Sequence, residues 1–176
     1  MIDENALKVI AREPHRLGLV IGKDKLTLLH SEWIKYCWDS NGPRALQAFR
    51  GGYKTTAITL VGSIAWLLFH PNDRIAIIRK TFRAAADVIR AISSAMEREE
   101  LKAVFKLAHG VYPKAEISRE GSLRYNFKNT NTPEGNITAL GMDSGITGLY
   151  FDKVVCDDII TLKDRISRAE RERTPI

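Results

Sequence analysis

The sequence has few features that would set the chain apart from an ordinary folded domain. Only two cysteines occur, Cys37 and Cys156, and both have apolar neighbours, so we interpret them as small buried thiols rather than a disulfide or metal pair. The longest apolar-rich run, residues 58–69, is interrupted by polar residues and is too short to cross a bilayer. Residues 1–12 are charged throughout, so we expect neither a signal peptide nor a membrane partner.

Length and composition narrow the class of protein further. A chain of 176 residues, 44% apolar and with interspersed charge, suits one folded domain. The net charge of +6 fits a polyanionic partner such as DNA, although many domains are equally basic. Positive charge rises in residues 74–90 and 163–173, but neither segment has the interleaved aromatic residues of a single-strand-binding surface.

Residues 44–56 carry the first chemical motif. They read as a short apolar strand, a glycine-bearing turn, and Lys-Thr-Thr at the start of an apolar helix. This order predicts a phosphate-binding loop, because turn N–H groups and a helix N-terminus attract phosphate oxygens. Lys54 would neutralise the outer phosphates, and Thr55 would place its hydroxyl on a magnesium ion. The full pattern Gly-x-x-x-x-Gly-Lys-Ser/Thr is not met, because Ala48 and Tyr53 stand at the two glycine positions.

The hydropathy pattern predicts an α/β domain. Its order of strand, loop, helix, strand and helix is typical of a doubly wound parallel sheet, while a hairpin at Glu120-Gly121 adds a short antiparallel extension. The segment 74–79 is apolar without alternation, which indicates a central parallel strand. Residues 17–29 do not indicate one type of element. The predicted helices span 2–12, 28–38, 54–69, 82–99, 101–107 and 162–173, and the predicted strands span 45–49, 74–79, 115–117, 122–128, 136–141 and 150–156.

The second motif is Asp157-Asp158, two consecutive carboxylates after the apolar residues Val-Val-Cys. An apolar strand that ends in two acidic residues is typical of a Walker B element. There the first carboxylate holds the magnesium shell, and the second orients or deprotonates the attacking water. Strands also end in aspartate at ordinary turns and caps, so this motif alone is weak. A phosphate-binding loop at the same sheet edge makes an ATP site the better interpretation.

With both motifs in hand, the chain resembles the N-terminal ATPase domain of the large terminase subunit of tailed bacteriophages, the motor that packages DNA into procapsids. The resemblance runs from about Leu46 to Arg165. Phosphate-binding loops of this family often carry an arginine four residues before the lysine, where this chain has Arg50. The stretch 141–158 is similar to the family's approach to Walker B, G…T-G-x-x-x-D-x-V-V-x-D-D, and is the most specific match.

The resemblance implies a three-layer P-loop NTPase fold with a mostly parallel central sheet. An N-terminal helical segment, 1–42, would pack on an ATPase core, 43–176, with no nuclease domain in these residues. ATP and Mg²⁺ are the implied cofactors. Lys54, Asp158 and Arg50 would be catalytic, and Thr55 and Asp157 would hold the metal. The implied nucleotide-binding residues are Arg50, Gly51, Gly52, Tyr53, Lys54, Thr55 and Thr56.

The implied partners are double-stranded DNA, the portal of the procapsid, the small terminase subunit and further copies of this chain in a ring. The implied location is the host cytoplasm, for a phage-encoded protein. Candidates for DNA or subunit contacts lie in the last predicted helix, where a solvated charged face is the alternative for any one of them; they are Arg165, Arg168, Arg171 and Arg173.

Departures from the family pattern lead to further expectations. Tyr53 replaces a glycine, which predicts a distorted loop, or one that tightens only when nucleotide binds, with the tyrosine at the mouth of the site. Gln47 lies inside the predicted strand, so His30 or Trp33 would contact adenine in place of the family's upstream glutamine. Arg50 could instead hold a helix terminus or a carboxylate. Two other functions stay open: another P-loop DNA translocase or helicase-like ATPase, and a non-catalytic module that binds DNA or a partner.

Overall fold

The computed structural model describes residues 4–39, 42–119, 121–130, 134–145 and 148–159. Its strands form one open mixed sheet, and the fold is α/β. The helices are α1 (Glu4–Arg12), α2 (His15–Val20), α3 (Leu28–Trp38), a π-helical segment (Thr55–Val61) that continues into α4 (Gly62–Phe69), α5 (Phe82–Met96) and α6 (Glu99–His109). The strands are β1 (Ile75–Arg79), β2 (Ala115–Arg119), β3 (Ser122–Tyr125), β4 (Ile137–Gly141) and β5 (Lys153–Cys156).

The sheet has the strand order β2-β3-β4-β1-β5. Strand β1 is central and runs parallel to both β4 and β5, with Ile77 opposite Ala139 on one side and Val155 on the other. Strands β2 and β3 form an antiparallel hairpin that joins β4 antiparallel. This arrangement confirms the predicted central parallel strand and the antiparallel extension. The carboxyl ends of β4, β1 and β5 therefore meet at one edge of the sheet.

One hydrophobic core joins the sheet to the helices, including those that precede β1 in the chain. The fully buried Ile75 and Ile77 of β1 pack in the same cluster as Leu17 of α2 and Ile64 of α4. Burying such side chains contributes about 1.5–3 kcal/mol each, so helices α1 to α3 are fixed to the rest of the domain by ordinary hydrophobic packing. No helix among the described residues is long and apolar enough to span a membrane.

The predicted helix 54–69 is present, but its first half is π-helical. The Gly62 N–H donates to the carbonyl of Ala57, five residues back. Where such a segment returns to α-helical bonding, one carbonyl loses its helical partner. The indole Nε1 of Trp38 donates to the carbonyl of Ile58 at 3.0 Å and satisfies it. Packing residue Trp38, at the end of α3, is thereby bonded to the helix that follows the glycine turn.

The predicted strand 45–49 is wrong. Residues 43–49 form no regular element, and β5 pairs with β1 alone among the described strands. Phe49 packs edge-on against the ring of Trp33 with centroids 6.3 Å apart, which holds the segment toward α3 instead of the sheet. At the free edge of β5, Lys153 donates to the carbonyl of Trp38 at 3.0 Å and covers the Trp66 ring.

Other elements differ from prediction in detail. Helix α3 has the predicted bounds, whereas α5 ends at Met96 and α2 occupies part of the segment that had no assigned element. The interpretation of two buried thiols is wrong for Cys156, which is exposed, while Cys37 is half-buried; both are free. The last predicted helix, with its four arginines, lies outside the described residues.

Candidate functional site

The glycine turn leads directly into the helix. The Gly52 N–H donates to the carbonyl of Phe49 at 3.1 Å, and Gly51 has φ +84°, a conformation open to glycine. Tyr53 has φ +52°, so the expected unfavourable backbone conformation is present, at about 1–2 kcal/mol for a residue with a β-carbon. The helix starts immediately afterwards, where the Ala57 N–H donates to the Tyr53 carbonyl.

The His30 side chain is hydrogen-bonded to the glycine turn. The Thr27 N–H donates to Nδ1 of His30 at 2.9 Å, so the imidazole proton lies on Nε2, which donates to the carbonyl of Gly52 at 3.2 Å. The ring is 7% exposed and packs against Trp33 with centroids 5.1 Å apart. Both ring nitrogens are therefore used within the protein. The expectation that His30 contacts adenine is wrong, because this side chain holds the turn in place.

Asp157 and Asp158 follow β5 at the same sheet edge. The Asp157 N–H donates to the carbonyl of Ile78 at 2.9 Å and extends the parallel ladder, and its side chain is 4% exposed. Asp158 leaves the ladder with φ +50°, and its side chain is 58% exposed. The two adjacent carboxylates thus differ in environment. One is buried against the helix start, and the other is open to solvent.

The two motifs meet in the folded chain. The Lys54 Nζ lies 3.6 Å from Oδ1 of Asp157 and 3.6 Å from Oδ1 of Asp158. The Thr55 hydroxyl donates to Oδ2 of Asp157 at 2.7 Å. Four of the residues predicted from sequence are therefore in mutual contact, although more than 100 positions separate the two pairs. Burying a carboxylate as deeply as that of Asp157 is costly unless such partners donate to it.

Arg79 is a member of this cluster that sequence reasoning missed. Its Nη2 donates to Oδ2 of Asp158 at 2.8 Å, and its Nε lies 3.7 Å from Oδ2 of Asp157. Lys54 and Arg79 together balance the formal charges of the two carboxylates. Arg79 is the last residue of β1, next to β5, so a basic residue at the end of the predicted central strand was the available signal.

The other predicted site residues lie outside the cluster formed by Lys54, Thr55, Arg79 and the two carboxylates. Arg50 and Gly51 are exposed, and within the described part of the chain Arg50 makes no hydrogen bond or ion pair. Gly52 is buried beneath the turn. Thr56 and Tyr53 line a separate cavity of about 260 Å³ on the other side of the helix start, together with residues 22–26.

The larger cavity lies along the free edge of β5. It measures about 740 Å³ and is lined by the segment 42–46, by β5 and by Lys54 and Asp157. Trp66 forms its far wall with His70, their rings stacked 3.9 Å apart. The cavity therefore extends from the charged cluster along β5.

The side chains that could contact a metal ion here offer oxygen donors, which Mg²⁺ prefers. Thr55 and Asp157 present a hydroxyl and a carboxylate oxygen side by side, and Mg²⁺ takes oxygen ligands while relying on substrate phosphates and water for the rest of its shell. Among the described residues no group of three or more His, Cys, Asp and Glu side chains forms a metal cage. The residues present fit a magnesium ion that arrives with phosphates.

Comparison with known proteins gave no match: no family model, no curated protein and no solved structure is similar to this chain.

Proposed function

We propose that the chain is a three-layer P-loop NTPase domain that binds and hydrolyses Mg-ATP. The observation that carries the proposal is the convergence of Lys54 and Thr55, from the helix start, on Asp157, from the end of β5. A lysine and a hydroxyl beside a buried carboxylate, at the carboxyl edge of parallel strands, form the arrangement expected for a metal–triphosphate.

Each residue has a role that follows from its position. Lys54 would exchange its carboxylate partners for the outer phosphates, and Thr55 and Asp157 would hold a magnesium ion, which would neutralise charge that develops on the phosphates. Asp158, exposed beside them, orients the attacking water and accepts its proton. Arg50 is an exposed guanidinium next to the turn and suits the terminal phosphate, because its charge is fixed and its donors are planar.

We further propose that this ATPase is the core of a viral motor that packages double-stranded DNA. The support is the resemblance of residues 141–158 to the terminase family. A β-carbon at Gly141 would lie 2.6 Å from the Phe82 nitrogen, so β4 can meet α5 there only as glycine. The proposed partners are DNA, a portal, a small terminase subunit and further copies in a ring, in the host cytoplasm.

The proposed ATP binding is tested with a fluorescent ATP analogue and magnesium. The wild-type chain is expected to bind in the micromolar range, and Lys54→Ala is expected to abolish binding. Lys114→Ala is the matched control, because Lys114 is exposed beside β2 at the opposite edge of the sheet. Failure of the wild type to bind, or equal binding by Lys54→Ala, would contradict the proposal.

A second candidate, a P-loop module that binds without hydrolysis, is favoured by two observations. Tyr53 keeps a left-handed backbone in the loop, and Asp158 is bonded to Arg79 rather than free for water. Double-stranded DNA binding separates the candidates. If Lys54→Ala binds DNA like the wild type and ATP never alters DNA binding, the binding module is correct. If ATP changes DNA affinity only in the wild type, the motor proposal is supported.

A further inference from the structure

We infer that Tyr53 and the loop 22–26 form the nucleoside subsite, with the base of a nucleoside triphosphate stacked on the Tyr53 ring. This inference rests on the proposed function and assigns a ligand part to the cavity of about 260 Å³ beside the helix start. It also gives a binding role to the tyrosine that breaks the phosphate-loop pattern.

The direction of the phosphates gives the first argument. Lys54 and Thr55 face the carboxylates, so the terminal phosphate, where water attacks, lies on that side of the loop. Thr55 and Thr56 are consecutive residues of the π-helical segment, so their side chains point in different directions around its axis. Thr56 accordingly lines the opposite cavity with Tyr53. A triphosphate that follows the helix start from Asp158 toward Thr56 delivers its nucleoside to that cavity.

The size of the cavity gives the second argument. At about 260 Å³ it is smaller than the range of roughly 300–1,000 Å³ typical of complete small-molecule sites. It can hold part of a ligand whose remainder is bound elsewhere. The cavity adjoins the turn, so a base or ribose can occupy it while the phosphates stay at Lys54.

The chemistry of the walls gives the third argument. The Tyr53 ring is 42% exposed, which is high for a side chain so near the start of a buried helix. The Lys25 ammonium lies 5.7 Å from the ring centroid and supplies donors for acceptor atoms on a base or ribose. A side-chain hydrogen bond with Tyr53 raises the pKa of Lys25, so the two side chains interact directly. An exposed ring beside a cation is a surface on which any base can stack.

The experiment compares two ligands by isothermal titration calorimetry, Mg-ATP and magnesium tripolyphosphate, on folded protein. Tyr53→Ala keeps the β-carbon and so leaves the backbone preference nearly unchanged. It is expected to weaken Mg-ATP about 5- to 150-fold, the range of base–aromatic stacking, and tripolyphosphate by less than about twofold. Tyr53→Phe is expected to keep both affinities. Tyr112→Ala is the matched control, because Tyr112 is exposed and has Lys106 over its ring at 5.4 Å.

Four results would overturn the inference, and each is distinct. Unchanged ATP affinity in Tyr53→Ala would place the nucleoside elsewhere. An equal loss for both ligands would mean that Tyr53 shapes the phosphate loop instead of contacting the base. If the wild-type chain bound neither ligand, the proposed function would fail together with the subsite, whereas binding of tripolyphosphate without any gain from the nucleoside would leave the phosphate loop intact and refute the subsite alone.

Discussion

The hydroxyl of Thr55 donates to Oδ2 of Asp157 at 2.7 Å, across 102 positions of sequence. This bond joins the start of the helix after the glycine turn to the end of β5. In the proposed site the two residues depend on each other, because a magnesium ion between phosphate and protein would need both oxygens on one side. The site is therefore a property of the sheet edge rather than of either motif alone.

Replacing Thr55 tests that relationship. Thr55→Ala removes a hydrogen bond to a charged group, worth about 1.5–3 kcal/mol, and should reduce the gain in ATP affinity on adding magnesium by about 10- to 100-fold. Thr55→Ser retains the hydroxyl and should behave like the wild type. The measurement is nucleotide binding with and without magnesium. Equal losses in both conditions would show that Thr55 acts without the metal.

Arg79 gives a prediction in which burial outweighs distance. It lies closer to Asp158, at 2.8 Å, than to the Asp157 carboxylate, at 3.7 Å, yet Asp158 is 58% exposed and Asp157 only 4%. Solvent screens exposed pairs, so coupling to Asp158 should be below about 1 kcal/mol, while coupling to the buried Asp157 should be about 1–3 kcal/mol.

Double-mutant cycles with Arg79→Gln, Asp157→Asn and Asp158→Asn measure these couplings from urea unfolding. Arg79→Gln alone should lower the melting temperature by about 2–4 °C for each kcal/mol lost, given a domain of this size. Arg83→Gln, an exposed arginine on α5, serves as the control and should leave the melting temperature nearly unchanged. A larger coupling with Asp158 than with Asp157 would refute the argument from burial.

Local patterns explain what could be predicted from sequence. Helix α3 and the hairpin of β2 and β3 follow from periodicity and turn chemistry within a few residues. Strand β1 was identifiable because a fully apolar run without alternation has few alternatives to a central strand. The glycine turn and Asp157-Asp158 could also be recognised from sequence, because each is a motif of consecutive residues.

Properties that depend on partners could not be predicted. Residues 45–49 have the composition of a strand, but a strand also needs a neighbour, and Phe49 packs on Trp33 while Lys153 covers the edge of β5. Arg79 lies in the site because the register between β1 and β5 places Ile78 beside Cys156. This register cannot be predicted from the sequence. Tertiary contacts overrode local preference in both cases.

Gly62 offers a prediction opposite to helix propensity. Alanine is favoured over glycine within helices by about 1 kcal/mol. A β-carbon at Gly62, however, would lie 2.2 Å from Nε1 of Trp38, the donor to the Ile58 carbonyl. Gly62→Ala should therefore destabilise the domain by about 1–3 kcal/mol through overpacking, and by more if the indole bond is lost.

Urea unfolding of Gly62→Ala measures this effect. Gly42→Ala is the control, because a β-carbon at Gly42 meets no atom of the described residues within 4 Å apart from its chain neighbours. In a Trp38→Leu background the cost of Gly62→Ala should shrink, since the clashing ring is gone. A stabilising Gly62→Ala in the wild-type background would show that Trp38 does not approach the helix as described.

Two histidines should make stability depend on pH. Burial lowers the pKa of His15, which contacts the Ser31 hydroxyl at 2.7 Å, and burial also lowers the pKa of His109. An unfolded histidine titrates near 6.5, so below that pH the unfolded chain binds more protons than the folded one. Stability is therefore full above about pH 7 and falls as the pH drops through 6.5 toward the lower folded values.

Unfolding in urea at pH 7.5 and pH 5.5 measures the loss, and His15→Asn combined with His109→Leu should reduce the difference between the two pH values. The Asp152 carboxylate contributes outside this pH window. The Arg74 guanidinium lowers the pKa of Asp152, so that contribution is lost only below about pH 4. Each substitution eliminates one titrating imidazole. If the double variant loses as much stability between pH 7.5 and 5.5 as the wild type, the two histidines are therefore not the source of the pH dependence.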